Sequence, residues 1–229
     1  MPCARYALRL PHHPAPNYDT PMRDEYDSAL SLELARARYF AANGFAADGG
    51  YGTAWVDAKI GPFPVRIPNT KGRDRAVRIH DLHHVLTGYR TTFRGESEIG
   101  AWEVASGCRQ HWAAWFLNLA AFGGGLLFAA NDVWPAFVRG RSCLNLYDCR
   151  LDAALLAKSV GEVRRELHLD EPSTGPANAR DAAAFVAWSI VALSSIATLI
   201  FISPIAIPAI AIVSRLGRRT AVDSPDAKV

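Results

Sequence analysis

The stretch HDLHHVLTGYRTTFRGE, residues 80 to 96, predicts a helix, a tight turn and the start of a second helix. The first helix is predicted over Arg75 to Thr87, and Gly88 ends it because glycine adopts the left-handed C-cap conformation without strain. The second helix is predicted over Glu96 to Ser106. Since the chain turns at Gly88, Glu96 can return towards the first helix.

Four side chains in this stretch form a candidate metal site. His80 and His84 are four residues apart and therefore share one helical face, and Asp81 lies on the flank of that face. Glu96 is the natural fourth ligand after the turn. Two imidazoles with carboxylates suit zinc, iron or manganese, so ligand type alone does not select the metal. His83 points about 100° away from His84 and is predicted to lie outside the ligand set, behind it or on the surface.

The same residues have two other interpretations. Histidines on a helix are commonly ordinary core or surface residues. An HD pair also occurs in metal-dependent phosphohydrolases, which would require a further, distant histidine and aspartate. His111 and Asp148 are available for that role, but nothing in the sequence around them supports it.

Composition narrows the range of functions. The chain has 229 residues, of which 50% are hydrophobic and 21% charged, so it forms a folded core rather than a disordered chain. The net charge of +3, with no run of basic residues interleaved with aromatics, argues against a nucleic-acid partner. None of the four cysteines belongs to a C-x-x-C pair, which argues against a thiolate zinc site or a redox motif.

Periodicity over the rest of the chain predicts an all-α, mainly helical domain, because the alternation typical of strands is weak. Helices are predicted over Arg23 to Asn43 and Leu144 to Lys158, with loop and short extended or helical pieces over residues 45–75. Ser159 and Glu162 form a capping box for an amphipathic helix. The predicted parts are a flexible arm (1–22), a helical metal-binding domain (23–171), a linker (172–181), a hydrophobic transmembrane or re-entrant segment (182–214) and a basic polar tail (215–229).

An apolar stretch from His111 to Trp134 is predicted as a buried or membrane-leaning helix. Its triple glycine, Gly123 to Gly125, is expected to form a bend or to let a lipid tail approach the backbone.

A longer uncharged run, Ala182 to Val213, predicts association with a membrane. As one helix it would be about 48 Å long against about 30 Å of hydrocarbon, and Pro204 and Pro208 would interrupt it. It is predicted either as a single span over Ala182 to Ile202 or as a re-entrant hairpin. Basic residues on both flanks favour the hairpin, because such flanks tend to stay on the cytoplasmic side.

The motif H-D-x-x-H, followed by eleven residues and a glutamate, resembles the signature of the ubiquinone (coenzyme Q) biosynthesis family known as Coq-four. HVLTG at 84–88 is similar to the residues after the family's second histidine, and YFAANGF at 39–45 to a stretch upstream. The family's ending resembles two later stretches, VWPAFVRGR from residue 133 and NLYDCRLDAALLAKSVGEVRRELHL from residue 145. The resemblance covers about residues 30 to 170, and the C-terminal apolar run departs from it.

The resemblance implies a helical protein with a bound divalent metal, commonly zinc, held by His80, Asp81, His84 and Glu96. It implies a polyprenylated aromatic precursor of ubiquinone as substrate, and removal of the ring carboxylate, coupled to hydroxylation there, as the reaction. It also implies contact with membrane lipid and with other quinone-biosynthesis enzymes. The expected location is the cytoplasmic face of a bacterial inner membrane, or the mitochondrial inner membrane.

Several alternatives stay open from the sequence. Arg90 and Arg94, in the loop between the ligands, are candidates for attracting a substrate carboxylate, although solvated loop arginines are the plainer interpretation. A non-enzymatic lipid-binding scaffold is the alternative to catalysis, with the metal serving structure. The oligomeric state is open, with a homodimer among the alternatives.

Overall fold

The computed structural model describes residues 24–60, 63–170 and 178–222, so the predicted flexible arm and residues 223–229 of the tail lie outside the described residues. The prediction of a mainly helical protein is confirmed. The elements are α1 (Leu32–Ala42), β1 (Trp55–Ile60), β2 (Phe63–Pro68), α2 (Lys71–Thr87), α3 (Phe93–Ser106), α4 (Trp112–Phe128), α5 (Ala130–Arg141), a 3-10 turn (Leu146–Asp148), α6 (Ala153–Ala157), α7 (Val160–Glu166) and α8 (Ala179–Val222).

The two helices of the candidate site begin and end where local chemistry requires. Gly88 ends α2 in the left-handed conformation, with φ of 79°, which confirms the predicted turn. Helix α3 begins at Phe93, where the Thr92 hydroxyl accepts a hydrogen bond from the backbone N–H of Gly95 (3.2 Å). Glu96 therefore lies in the first turn of α3, directly after the loop that leaves α2.

The helix predicted over Arg23 to Asn43 is wrong in its first part, because α1 begins at Leu32. The preceding residues pair with the chain before α7. The N–H of Leu32 donates to the carbonyl of Lys158 (2.9 Å), and the N–H of Val160 donates to the carbonyl of Leu30 (2.8 Å). Backbone groups committed to this pairing are not available for a helix.

The helical prediction over Leu144 to Lys158 is also wrong for much of its length, since the segment holds the 3-10 turn and the short α6. The side-chain oxygens of Asn145 and Asp152 accept backbone N–H groups two and three residues on (2.9 and 3.0 Å), and this bonding starts new turns. The capping box is confirmed at its first residue, because the Ser159 hydroxyl accepts from the N–H of Glu162 (3.2 Å).

Strands β1 and β2 form an antiparallel pair inside the segment predicted mainly as loop. The register pairs apolar residues: Val56 with Ile67, and Ala58 with Val65. The short extended pieces predicted within residues 45–75 are therefore confirmed as two strands, and the period-two pattern is present locally.

Helix α3 lies between α4 and α5 and makes its closest packing against both. Glycines permit the close approach. A Cβ atom on Gly140 of α5 would lie 2.4 Å from the carbonyl oxygen of Trp102, and one on Gly100 would lie 3.0 Å from the carbonyl oxygen of Asn118 in α4. Trp102 is fully buried. The position of α3, and of every side chain it carries towards α2, is therefore fixed by packing.

The single helix predicted over His111 to Trp134 is wrong at Ala129, where the helical chain breaks (φ −147°, ψ 39°). Helix α4 continues through the triple glycine, and these glycines admit neighbouring helices. A Cβ atom on Gly123 would lie 2.9 Å from the carbonyl oxygen of Ala192 in α8, and one on Gly125 would lie 2.6 Å from Cβ of Ser97 in α3.

Helix α8 is continuous over 44 residues, a length of about 66 Å. It passes through Pro204 and Pro208 without a turn, so the hairpin interpretation is wrong. It begins at Ala179, so the last residues of the predicted linker are helical; residues 171–177 lie outside the described residues. The part from Ala179 to Ile202 is long and apolar enough to cross a membrane.

Between residues 182 and 202, one side of α8 packs on the domain, and this part of the helix carries no charged residue. Phe185 contacts the rings of Phe122 and Phe137, with centroid distances of 5.7 and 5.3 Å. On the outward side, Ser195 and Thr198 donate their hydroxyl protons to backbone carbonyls (2.8 Å each). Exposed apolar side chains of α4, α8 and Phe93 form what we term the apolar surface: Phe93, Phe116, Leu117, Leu127, Phe128, Val186, Ile190, Val191, Leu193, Ile200, Phe201 and Ile202.

Ile190→Lys is expected to weaken partition of the full chain into lipid vesicles by about 100-fold, because a lysine at the centre of a span costs about 3 kcal/mol. Ile190 is 62% exposed, so the lysine displaces no core contact. Flotation of the protein with vesicles measures the effect. Leu34→Lys, at an exposed leucine of α1, is the matched control and should float as the wild type does. Equal flotation of Ile190→Lys and wild type would contradict a membrane role for α8.

Candidate metal centre

Three side chains converge between α2 and α3. The Nε2 atoms of His80 and His84 are 3.1 Å apart, and the Glu96 carboxylate lies 3.3 Å from the first and 3.4 Å from the second. Ligand atoms held about 2.1 Å from a tetrahedral metal lie about 3.4 Å from one another. The three residues, one ligand atom from each, thus have the spacing of a metal-binding group.

The sequence builds this group from local structure. The four-residue spacing of the histidines places both rings on the side of α2 that faces α3. Glu96 reaches them because α3 starts immediately after the loop, and a Cβ atom on Gly95 would lie only 2.1 Å from the carbonyl oxygen of Arg90. Glycine at this position lets the start of α3 sit directly against the loop.

The group is buried on one side and accessible on the other. The side chain of His84 is 1% exposed, that of His80 is 21% exposed, and that of Glu96 is 39% exposed. Three protein ligands with one open side are typical of catalytic zinc sites, whereas structural sites are closed by a fourth protein ligand. The arrangement therefore leaves Glu96 and part of His80 exposed to solvent on the open side.

Hydrogen bonds behind the rings orient both histidines. Nδ1 of His84 lies 2.7 Å from the carbonyl oxygen of Tyr89, and Nδ1 of His80 lies 2.9 Å from the Glu103 carboxylate. Because a carbonyl only accepts, Nδ1 of His84 is the donor in this bond, and Nε2 is the nitrogen that faces the site. Outer partners of this kind are a regular feature of metal-binding histidines.

Asp81 is not brought into the group. Its two carboxylate oxygens accept hydrogen bonds from the hydroxyls of Tyr51 (2.5 Å) and Tyr39 (3.3 Å), and the Tyr39 ring stacks on His84 with a centroid distance of 5.5 Å. Burial raises the pKa of Asp81, while the tyrosine hydroxyl of Tyr51 opposes that rise. Asp81 supports the ring of His84 through Tyr39, and its role as a metal ligand stays a prediction.

The sequence prediction missed Glu103, which is fully buried in α3. Its carboxylate lies within hydrogen-bonding distance of both His80 and His83. A signal was present, because Glu103 follows Glu96 by seven residues and therefore lies on the same helical face, two turns on. The surface alternative for His83 is wrong: the ring is fully buried behind the metal-binding group.

The remaining candidates have partners outside the group. Arg90 pairs with Asp24 (2.9 Å) and Arg94 pairs with Asp132 (3.0 Å), so each candidate substrate arginine already has a carboxylate partner. His111 lies 3.2 Å from the carbonyl oxygen of Tyr147, and Asp148 pairs with Arg109 (2.6 Å). Neither the histidine nor the aspartate of the hydrolase alternative joins the group.

In the metal-free group, the imidazoles and the carboxylates shift one another's pKa values. Burial disfavours the charged form of His80, but Glu103 and then Glu96 outweigh it and hold the pKa of His80 well above 6.5. Burial would raise the pKa of Glu96, but its hydrogen bonds with His80 and His84 hold that pKa below 4.5.

The metal-free protein is therefore expected to lose stability as pH rises above about 6.5. Folded His80 retains a proton that the unfolded chain releases, so its contribution is complete below 6.5 and disappears as pH passes the folded pKa. Glu96 has the opposite pH dependence. Its contribution to stability is complete above pH 4.5 and disappears as pH falls through its lowered pKa. Bound zinc requires neutral His80 and should abolish the decline above 6.5. Thermal unfolding across pH, with chelator and with zinc, measures this; identical profiles would contradict it.

Comparison with protein-family models, with curated proteins and with solved structures finds no match for this chain. The support for a function therefore comes from the geometry of the metal-binding group, the apolar surface and the motif resemblance.

Proposed function

We propose that the protein is a membrane-associated, metal-dependent enzyme that decarboxylates a polyprenylated hydroxybenzoate-type precursor in ubiquinone biosynthesis. The observation that carries the proposal is the convergence of His80, His84 and Glu96 at metal-binding distances with one side open. The spacing of the same residues resembles the Coq-four signature. Zinc is the expected metal; iron and manganese are alternatives for the oxidative form of the reaction, in which dioxygen would be the oxidant and would supply the hydroxyl oxygen.

A metal held by these residues would supply a positive charge that could bind an oxygen of the substrate head group and stabilise negative charge that develops on the ring. The protein holds the two histidines in the correct orientation through the Tyr89 carbonyl and Glu103. Glu96, as the exposed ligand, borders the space that the substrate head group would occupy.

The apolar surface supports a lipid-like substrate. Phe93, three residues before Glu96, is 56% exposed, and its ring contacts that of Phe128 at the end of α4 (6.1 Å). An apolar path thus runs from α4 to the helical turn that carries a ligand. A prenyl tail lying along this path would bring its aromatic head to the open side of the group.

The test is turnover by the full-length protein in lipid vesicles, loaded in parallel with zinc, iron and manganese. The substrate is a polyprenyl hydroxybenzoate, and lipid mass spectrometry detects loss of carbon dioxide from the head group. We expect turnover by the wild type and by Glu33→Gln, an exposed carboxylate in α1, and none by Glu96→Gln. Binding of the precursor without turnover under every metal would overturn the enzyme proposal in favour of a scaffold, and turnover of phosphoesters would favour a hydrolase.

A further inference from the structure

We propose that Glu103 is a positioning residue of the metal centre: its buried carboxylate holds the His80 ring so that Nε2 points at the metal. The inference rests on the proposed role of His80, His84 and Glu96 as metal ligands. It assigns a function to a residue that lies outside the H-D-x-x-H motif and its eleven-residue spacing.

Four side chains direct hydrogen-bonding groups at this one carboxylate. Oε1 lies 2.9 Å from Nδ1 of His80 and 2.6 Å from Nδ1 of His83. Oε2 lies 2.6 Å from the hydroxyl of Tyr147 and also accepts from the side-chain amide of Asn118. Glu103 is 0% exposed, so these four groups are its solvation shell.

The direction of the bonds can be deduced from His83. Nε2 of His83 lies 3.0 Å from the backbone N–H of Leu146, which can only donate. Nε2 therefore accepts, and the proton of the neutral ring is on Nδ1, from which it is donated to Glu103. The Asn118 amide likewise presents an N–H group.

The same reasoning fixes His80. Nδ1 is the ring nitrogen of His80 that bonds to the Glu103 carboxylate, whose Oε1 already accepts from His83, so Nε2 is the nitrogen available to a metal. Nε2 also faces His84 and Glu96, at 3.1 and 3.3 Å, which is the side where the metal would lie.

The network also anchors the ring to the rest of the domain. Glu103 belongs to α3, Asn118 to α4, Tyr147 to the 3-10 turn, and both histidines to α2. Rotation of the His80 ring would break its bond to a carboxylate that three further side chains hold in place. A carboxylate behind a metal-binding histidine typically changes metal affinity by about 10–100-fold.

The experiment compares Glu103→Gln with Tyr147→Phe in the full-length protein. Glutamine keeps the volume of the side chain but places an N–H group where only acceptors fit. Phenylalanine removes one donor from Oε2 and leaves the contact of Oε1 with His80 intact. Zinc affinity by chelator competition, the absorption spectrum of the cobalt-loaded protein and the thermal midpoint are measured for both.

We expect Glu103→Gln to bind zinc about 10–100-fold more weakly, with an altered cobalt spectrum. Tyr147→Phe should lower the thermal midpoint while zinc affinity and the cobalt spectrum stay close to those of the wild type. Unchanged zinc affinity and an unchanged cobalt spectrum in Glu103→Gln would overturn the proposal. It would also be overturned if both variants lost zinc affinity equally and in proportion to their loss of stability.

Two further variants keep the outcomes distinguishable. If Glu103→Gln does not fold, Glu103→Asp withdraws the carboxylate by one methylene. If Glu103→Asp then binds zinc more weakly than Tyr147→Phe does, the positioning role is supported. If Glu103→Asp binds zinc equally or more tightly, the positioning role is overturned. Glu96→Gln tests the metal site separately. If the wild type and Glu96→Gln bind zinc equally, the proposed metal site itself is wrong, whatever Glu103 does.

Discussion

Glu96→Gln is expected to lower the affinity for zinc by about 100-fold or more, the largest effect among the variants considered. An amide cannot supply the negative charge that a carboxylate gives to a divalent cation, and even a carboxylate behind a ligand changes affinity by about 10–100-fold. Chelator competition on the purified full-length protein measures the loss. The side chain is 39% exposed and lies in the first turn of α3, so the fold should persist with a loss of about 1 kcal/mol or less.

Glu33→Gln is the matched control for this result. Glu33 also lies in the first turn of a helix, α1, and its side chain is exposed and outside the metal-binding group. The same change in helix charge should leave zinc affinity unaltered there. Comparable affinities for Glu96→Gln and Glu33→Gln would show that Glu96 is not a ligand.

Gly95→Ala is expected to destabilise the protein by about 3 kcal/mol and to weaken zinc binding. The added Cβ atom would lie 2.1 Å from the carbonyl oxygen and 2.7 Å from the backbone nitrogen of Arg90, and backbone atoms cannot move aside as a flexible side chain would. The start of α3 must therefore shift away from the loop, and Glu96, the next residue, must shift with it. Chemical denaturation gives the stability, and the same chelator competition gives the affinity.

Gly72→Ala is the comparison for the steric argument. A Cβ atom there would meet only the indole ring of Trp112, at 3.1 Å, and that side chain is 65% exposed and free to turn. Its cost should be small or favourable, because alanine is a better helix former than glycine. A Gly95→Ala variant as stable as Gly72→Ala, with unchanged zinc affinity, would contradict the role of Gly95 in placing Glu96.

The sequence was sufficient to predict α2 from Arg75 onwards, the turn and the convergence of His80, His84 and Glu96, although α2 begins four residues earlier, at Lys71, and α3 three residues earlier, at Phe93. These features depend on residues less than two dozen apart, on helical spacing and on one glycine C-cap, all of which are local. Asp81 shows the limit of this reasoning. Its side of α2 meets Tyr39 and Tyr51, which approach from α1 and the following loop, and spacing along α2 contains no information about them.

Other features were missed for different reasons. The alternation in β1 and β2 was readable but lay among glycines and prolines that suggested a loop. Glu103 gave a readable seven-residue spacing from Glu96, although its partners Asn118 and Tyr147 come from distant elements. Two prolines were expected to interrupt α8, but the helix is continuous. The basic residues on both of its flanks favoured a hairpin, which the helix does not form.

If His80, His84 and Glu96 together hold one divalent metal, X-ray absorption on the zinc-loaded full-length protein will show their side chains around it. We expect one zinc per chain with two imidazole nitrogens at about 2.0–2.1 Å and carboxylate or water oxygens at about 2.0–2.2 Å completing a four-coordinate shell. A shell made of oxygen alone, or a zinc site with both imidazole contributions unchanged in His84→Ala, would contradict it.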